Sequence, residues 1–161
     1  MSDKDKKKVY VETSVISYLT ARPSHDLIKN ARQLATQDWW QVAPAHFDLH
    51  ISSLVEREAA KGDPEAAVRR MNALKGIPDL PITEEILALA EKLLEATAVP
   101  RTSFDDAVHI ATASVSGMDF LVSWNCKHIA NPMTKPIIRK TLECFGYNYP
   151  EICTPLDMKG D

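Results

Sequence analysis

The sequence predicts an α/β fold, a single-domain three-layer sandwich in which a parallel sheet of four to five strands carries helices on both faces. Two observations predict it. Short segments of β-branched and aromatic residues alternate with longer amphipathic segments, a pattern typical of parallel sheets covered by helices. No repeat, low-complexity block or linker divides the 161 residues, so we expect one domain over residues 1–161.

The elements are predicted in chain order from these patterns. Residues 1–8 are polar and of mixed charge, which predicts a flexible tail. The predicted strands are residues 9–11, 47–51, 80–82, 120–123 and, as a fifth, 151–154. Apolar residues at helical spacing predict helices over residues 15–19, 26–39, 53–61, 64–75, 83–96, 103–117 and 136–145.

Cap residues predict where some of these helices begin and end. Gly117 is expected to adopt the left-handed conformation that ends a helix. Ser53 and Glu56 have the spacing of a capping box, in which each side chain bonds to the backbone of the other residue. Ser103 and Asp106 have the same spacing. A structural role is therefore one interpretation of Asp106.

Composition and charge narrow the class of protein. The net charge of -3 leaves no basic surplus, which disfavours a passive nucleic-acid binder more than a nuclease that contacts phosphate through metal cations. No stretch approaches the roughly 18 apolar residues of a membrane span, and no secretory signal is expected. Cys126, Cys144 and Cys153 are widely spaced and odd in number, as expected for reduced thiols. We therefore expect a cytoplasmic protein with no membrane partner.

Polar groups follow two of the predicted strands, where parallel sheets bind their ligands. Glu12 directly follows the first strand, so a cation or hydrogen bonds must compensate its charge. The alternative is an acid that interacts with the dipole of the helix beginning at Ser14. The fourth strand is followed by Ser123, Trp124 and Asn125. These positions predict a ligand site at one edge of the sheet.

Two further acids lie on predicted helices with mostly apolar neighbours. Glu58 lies three and four residues after two apolar residues, so it points toward the edge of the core unless it is a surface acid paired with Lys61. Asp106 lies on the apolar face of its helix, where it either presents its carboxylate to a cation or caps the helix. Asp105 is the expected solvated acid of that turn, and His109 is expected to be a satisfied helix histidine rather than a base.

Four stretches of the chain together resemble a PIN domain and, within that superfamily, the VapC-type toxins of type II toxin–antitoxin pairs. They occur in the family's order, and the sequences Asp-Ala-Val-His-Ile-Ala and Leu-Val-Ser-Trp-Asn are the more specific parts. The stretches are residues 9–19, 51–58, 104–111 and 120–131.

The resemblance implies a site, a cofactor and an activity. The catalytic positions of the family fall on Glu12, Glu58, Asp106 and Asn125. The first three would hold Mg²⁺ or Mn²⁺, and Ser14 would be the supporting small polar residue. The implied activity is metal-dependent endoribonuclease cleavage of RNA, and the implied partners are a cognate antitoxin and a second copy of the chain. Three carboxylates suit Mg²⁺ or Mn²⁺, whereas zinc would favour paired His and Cys ligands.

Two departures from the family pattern leave other functions open. Many relatives have Asp where this chain has Glu12, and the neutral Asn125 can offer a carbonyl oxygen but no charge. The alternatives are a catalytically weakened PIN module that binds RNA or a protein partner, and a different metal phosphohydrolase on the same kind of sheet.

Contacts with RNA and with a partner are predicted from neighbouring residues. Candidate RNA contacts are the cations close in sequence to the acids, which are Arg57, Lys61, Arg101 and Lys127. Apolar surface for a partner is expected from Trp39, Trp40 and the amphipathic helix over residues 83–96, with packing in the core as the commoner alternative.

Overall fold

A computed structural model describes residues 5–159 and confirms the predicted fold class. Five strands form one all-parallel sheet in the order β3-β2-β1-β4-β5. The strands are β1 (Lys7–Val11), β2 (Phe47–Ser52), β3 (Asp79–Leu80), β4 (Phe120–Val122) and β5 (Glu151–Cys153). Strand β1 lies in the centre, with β2 on one side and β4 on the other, so the strand order reverses between β1 and β4.

Helices cover both faces of the sheet. They are α1 (Thr13–Thr20), α2 (Leu27–His46), α3 (Ser53–Ala59), α4 (Pro64–Leu74), α5 (Glu84–Glu95), α6 (Phe104–Val115), α7 (Lys135–Cys144) and α8 (Pro155–Met158). Tyr10 of β1 contacts His109 of α6, whereas Phe47 of β2 points to the opposite face and packs against Trp39 of α2. Within the described residues, no helix combines the length and the apolar character that crossing a membrane requires.

The central strand is the most deeply buried part of the sheet. Val9, Tyr10 and Val11 are completely buried, as expected for a strand covered on both faces. Burial of an aliphatic side chain such as valine stabilises the fold by about 1.5–3 kcal/mol. The core therefore fixes the position of Glu12, the next residue, at the carboxyl edge of the sheet.

Several predicted boundaries are wrong, among them the start of β1 and the end of α2. Strand β1 begins at Lys7, which pairs with β2, so the tail predicted over residues 1–8 extends too far; residues 1–4 lie outside the described residues. Helix α2 continues beyond Trp39 to His46. Pro44 lies only in its last turn, where the missing N–H removes one hydrogen bond without ending the helix earlier.

The predicted helix caps are confirmed in part. Gly117 has a φ of +71°, the left-handed conformation expected after α6. Ser52, not Ser53, caps α3, and its side chain accepts from the backbone N–H of Val55. Ser103 makes no side-chain cap hydrogen bond. Both predicted capping boxes are therefore wrong, and Asp106 is not engaged in one.

Candidate metal centre

Glu12 lies at the carboxyl end of the central strand and is only 5% exposed. Ser14 Oγ donates to Glu12 Oε1 at 2.6 Å, and Ser14 N donates to Oε2 at 2.9 Å. Ser123 Oγ at the end of β4 also donates to Oε1. Glu12 is thereby the N-cap of α1, which is the structural alternative that the sequence left open. These bonds fix the carboxylate but bring no positive charge to it.

Glu58 reaches the same edge from α3, with its side chain 26% exposed. Its Oε1 accepts a hydrogen bond from Thr13 Oγ1 at 2.6 Å, and His109 Nε2 lies 2.6 Å from the same oxygen. Burial raises the pKa of Glu58, but the hydrogen bonds from His109 and Thr13 and the charges of His109 and Lys61 outweigh it and lower the pKa. Glu58 is therefore ionised at neutral pH.

Glu12, Glu58 and His109 form a compact cluster in which one atom of each residue lies within 4.8 Å of the others. In the described part of the chain, no arginine or lysine lies within 4.0 Å of either carboxylate. Two carboxylates at this separation repel each other, and the single imidazole beside them can balance at most one of the two negative charges. The cluster therefore favours a bound cation.

Asp106 lies in the first turn of α6, beside this cluster but outside its 4.8 Å limit. Asn125 Nδ2 donates to Asp106 Oδ1 at 3.1 Å, and His128 Nδ1 lies 2.9 Å from Oδ2. Asn125 N donates to Ser123 Oγ at 2.9 Å, and Ser123 donates to Glu12. Hydrogen bonds thus connect Asp106 to Glu12, although the two acids are far apart in sequence.

Asn125 and Ser14 orient these acids. The side-chain oxygen of Asn125, Oδ1, accepts a hydrogen bond from His128 N at 3.0 Å. The oxygen that was expected to bind a cation is therefore already engaged by the protein. Ser14 Oγ accepts from the backbone N–H of Trp124 at 2.8 Å while it donates to Glu12. Both residues therefore link β4 to an acid on another element.

The family model for the PIN domain matches residues 9–125, which is more than half of the chain. The chain belongs to the PIN domain family. PIN domains are generally metal-dependent nucleases, and the cluster of Glu12, Glu58 and His109 is compatible with that activity. Comparisons with curated proteins and with solved structures give no significant match.

His109 is a satisfied helix histidine, as predicted, but its contact with an acid of this PIN domain site was not predicted. It is completely buried, with Nε2 near Glu58 and Nδ1 2.7 Å from Tyr10 Oη. Burial lowers the pKa of His109, but the hydrogen bond with Glu58 and the charges of Glu12, Glu58 and Asp106 raise it by more. The available signal was its position three residues after Asp106, on the same helical face.

His128 was also missed, although it follows Asn125 by three residues. Its Nδ1 lies 3.2 Å from Ser103 Oγ as well as close to Asp106. Together with Thr102, Phe104 and other residues at the start of α6, His128 lines an open depression of about 420 Å³. Asp106 also lines this depression, so its carboxylate is partly open to solvent.

The four cations predicted to contact RNA are all exposed in the PIN domain. Arg57 lies 3.9 Å from Asp105, and the charge of Lys61 acts on Glu58. Arg101 precedes α6 and Lys127 follows Asn125. All four therefore belong to segments that lead to or from the acids, and their contact with RNA stays a prediction.

The donor set of this PIN domain fits a divalent cation that prefers oxygen ligands. Glu12 and Glu58 offer carboxylate oxygens at one place, and Asp106 adds a third carboxylate on the adjoining helix turn. Mg²⁺ and Mn²⁺ commonly bind through one or a few carboxylates and retain water. The partial exposure of Glu58 and Asp106 leaves room for that water.

Proposed function

We propose that this PIN domain is a divalent-metal-dependent endoribonuclease that hydrolyses RNA phosphodiester bonds with Mg²⁺ or Mn²⁺ as its cofactor. The observation that carries the proposal is the pair Glu12 and Glu58, held together at the carboxyl edge with no arginine or lysine within 4.0 Å in residues 5–159. Charges brought this close from separate elements are costly in a folded protein unless a cation joins them. The metal ion of a metal-dependent nuclease would supply that cation.

The residues of the site divide into ligands and the groups that orient them. Glu12, Glu58 and Asp106 would hold the cation, which would supply positive charge to the scissile phosphate and acidity to a water molecule. Ser14 and Ser123 fix the direction of the Glu12 carboxylate. Asn125 and His128 do the same for Asp106.

The exposed cations would supply the binding of the RNA backbone. Arg57, Lys61, Arg101 and Lys127 lie in the segments around the acids, and each can neutralise one phosphate. With a net charge of -3, the chain has no general attraction for nucleic acid. We therefore expect binding that depends on the metal and on these few side chains, and that weakens as salt increases.

Cleavage of fluorescein-labelled RNA by the purified full chain tests this function, with DNA of the same sequence as a parallel substrate. We expect internal cleavage of the RNA that requires Mg²⁺ or Mn²⁺ and stops when EDTA is added. Asp106→Asn should lower the rate at least about a hundredfold, because metal ions contribute several kcal/mol of charge stabilisation in the transition state. The matched control, Asp105→Asn, removes the same charge from the solvent side of the same helical turn and should not lower the rate.

The outcomes separate the nuclease from its alternatives. RNA that remains intact with every divalent metal, while binding to RNA is unchanged by Asp106→Asn, would favour a PIN module that binds without cleaving. Turnover of small phosphate esters with no action on RNA would favour a different phosphohydrolase.

We further propose that the nuclease is a cytoplasmic toxin with a cognate antitoxin and that it forms a homodimer. Of the residues expected to contact a partner, Trp39 is fully buried and the apolar face of α5 packs in the core, whereas Trp40 is half-buried. Exposed apolar side chains occur on α2 instead, where Leu27 is 86% and Leu34 53% exposed and the two share a face.

Growth arrest on expression, relieved by the product of an adjacent small open reading frame, tests the toxin. Light scattering of wild type and Leu27→Lys tests the dimer.

A further inference from the structure

A buried line of hydrogen-bonding side chains lies behind Glu58. Tyr10 is completely buried in β1, and its hydroxyl oxygen lies 2.8 Å from Ser52 Oγ and 2.7 Å from His109 Nδ1. His109 is also completely buried, and its Nε2 lies 2.6 Å from Glu58 Oε1. We call Ser52, Tyr10 and His109 the Tyr10 brace. It runs from the end of β2, through β1 and α6, to the acid on α3.

The chemistry of these groups fixes the role of His109. A carboxylate only accepts hydrogen bonds, so His109 Nε2 is the donor to Glu58. The other ring nitrogen faces the Tyr10 hydroxyl. Because the protein engages both nitrogens, His109 supports the acid and has no lone pair directed at a cation.

The brace also determines which oxygen of Glu58 remains available. His109 and Thr13 both bond to Oε1, and Oε2 has no hydrogen-bond partner among the described residues. Two donors on one oxygen fix the rotation of the carboxylate as well as its position. The second oxygen is thus left for a ligand.

We infer that Tyr10 is a positioning residue of the metal centre: through His109, its hydroxyl holds the Glu58 carboxylate beside Glu12 with one oxygen presented to the cation. The inference rests on the proposed function, because it names what orients one of the proposed ligands. A purely structural tyrosine at this point would need only its ring, which phenylalanine supplies equally well. The hydroxyl, buried between two polar partners, is the part that acts on the site.

The test compares Mn²⁺ binding, followed by electron paramagnetic resonance, in wild type and Tyr10→Phe. Loss of the hydroxyl should weaken Mn²⁺ binding at least about tenfold, the lower range for groups that support metal ligands. The matched control is Tyr147→Phe, which removes a hydroxyl that donates to Glu85 at 2.5 Å on the exposed surface and should leave Mn²⁺ affinity unchanged. Circular dichroism checks that each variant is folded. His109→Gln, which keeps an N–H donor for Glu58 but loses the contact with Tyr10, carries the test if Tyr10→Phe does not fold, and should also weaken binding.

The results distinguish the brace from the nuclease. A folded Tyr10→Phe variant that binds Mn²⁺ as wild type does would overturn the inference. Pulsed resonance that detects a directly coordinated imidazole nitrogen would also overturn it, because His109 would then be a ligand. Mn²⁺ binding that needs the Tyr10 hydroxyl, in a protein that cleaves no RNA, would support the brace and contradict only the nuclease. A wild type that binds no Mn²⁺ would contradict both.

Discussion

The carboxamide of Asn125 donates a hydrogen bond to the carboxylate of Asp106 at 3.1 Å. Asn125 stands where the resemblance to VapC-type toxins places a fourth acid. Instead of adding a negative charge to an edge that already gathers three acids, it supplies a donor to one of them. We expect asparagine at this position to make the metal-free protein more stable than an acid would, while it removes one possible metal ligand.

Asn125→Asp should therefore destabilise the metal-free protein by about 1–3 kcal/mol, because a hydrogen bond to a charged group is replaced by repulsion between two carboxylates. Excess Mg²⁺ should restore part of the loss, since the new carboxylate can share a cation. Urea unfolding in EDTA and in Mg²⁺ measures both effects. Equal stability of the variant and wild type in EDTA would contradict the assigned role of Asn125.

His128→Ala should reduce the rate of RNA cleavage about 10- to 100-fold, as found for groups that orient metal ligands. The variant leaves Asp106 Oδ2 without its donor, while the other oxygen keeps Asn125. Values of kcat and KM, with a Mn²⁺ titration, provide the measurement. His25→Ala, an exposed histidine in the connection before α2, is the control and should behave as wild type. A variant whose KM rises while its kcat stays unchanged would instead assign His128 to RNA binding.

Thr97→Gly should stabilise the fold by about 0.5–1 kcal/mol. The change removes the steric cost of a left-handed conformation, and this gain exceeds the loss from the greater entropy of glycine in the unfolded chain. Thr97 follows α5 with a φ of +58° and is exposed, so little packing is lost. Midpoints of urea unfolding give the change. Gly117→Ala, the opposite change at a φ of +71°, should destabilise the fold. A loss of stability in Thr97→Gly would show that its bond to Ala96 O outweighs the strain.

Stability should fall as the pH rises from about 9 to about 12. Burial, followed by the negative charge of Glu151, raises the pKa of Cys153 from 9.0 to about 11 and that of Tyr149 from 10.0 to about 12. In the folded state each group stays protonated up to about its raised pKa, whereas in the unfolded chain it ionises nearer its ordinary value. Their contribution to the stability of the fold is thus complete below about pH 9 and is lost as the pH rises through the pKa values of the folded state. Cys153→Ala should lessen the decline over pH 9–11 in urea unfolding; an unchanged decline would contradict the assignment.

The sequence predicted the sheet and most helices because their patterns are local. Residues 9–11 are β-branched and aromatic, as in a buried strand, and Gly117 ends its helix as glycine commonly does. The end of α2 was not predictable from Trp39 onward, because packing against the sheet decides where a long helix stops. The short helix α8 depends on a capping box at Thr154 that was overlooked.

The acids of the candidate site could be predicted from the sequence, but the residues that orient them through hydrogen bonds could not. The rule for parallel sheets and the resemblance to PIN domains place Glu12 and Asp106 at one edge. The hydrogen bonds of His109 and Asn125 depend on side-chain rotation and on the pairing of elements distant in the chain. No periodicity in one sequence encodes that pairing. Whether these residues act in catalysis stays a prediction.

The Ser123 hydroxyl that donates to Glu12 belongs to a residue 111 positions further along the chain, and His109 reaches Glu58 across 51 positions. The bond from His109 cannot form until α6 has been synthesised, and the bond from Ser123 cannot form until β4 has been made and has paired with β1. Until then the acids lie apart along the growing chain, so the nuclease that we propose would acquire its metal centre only after most of the chain has been translated.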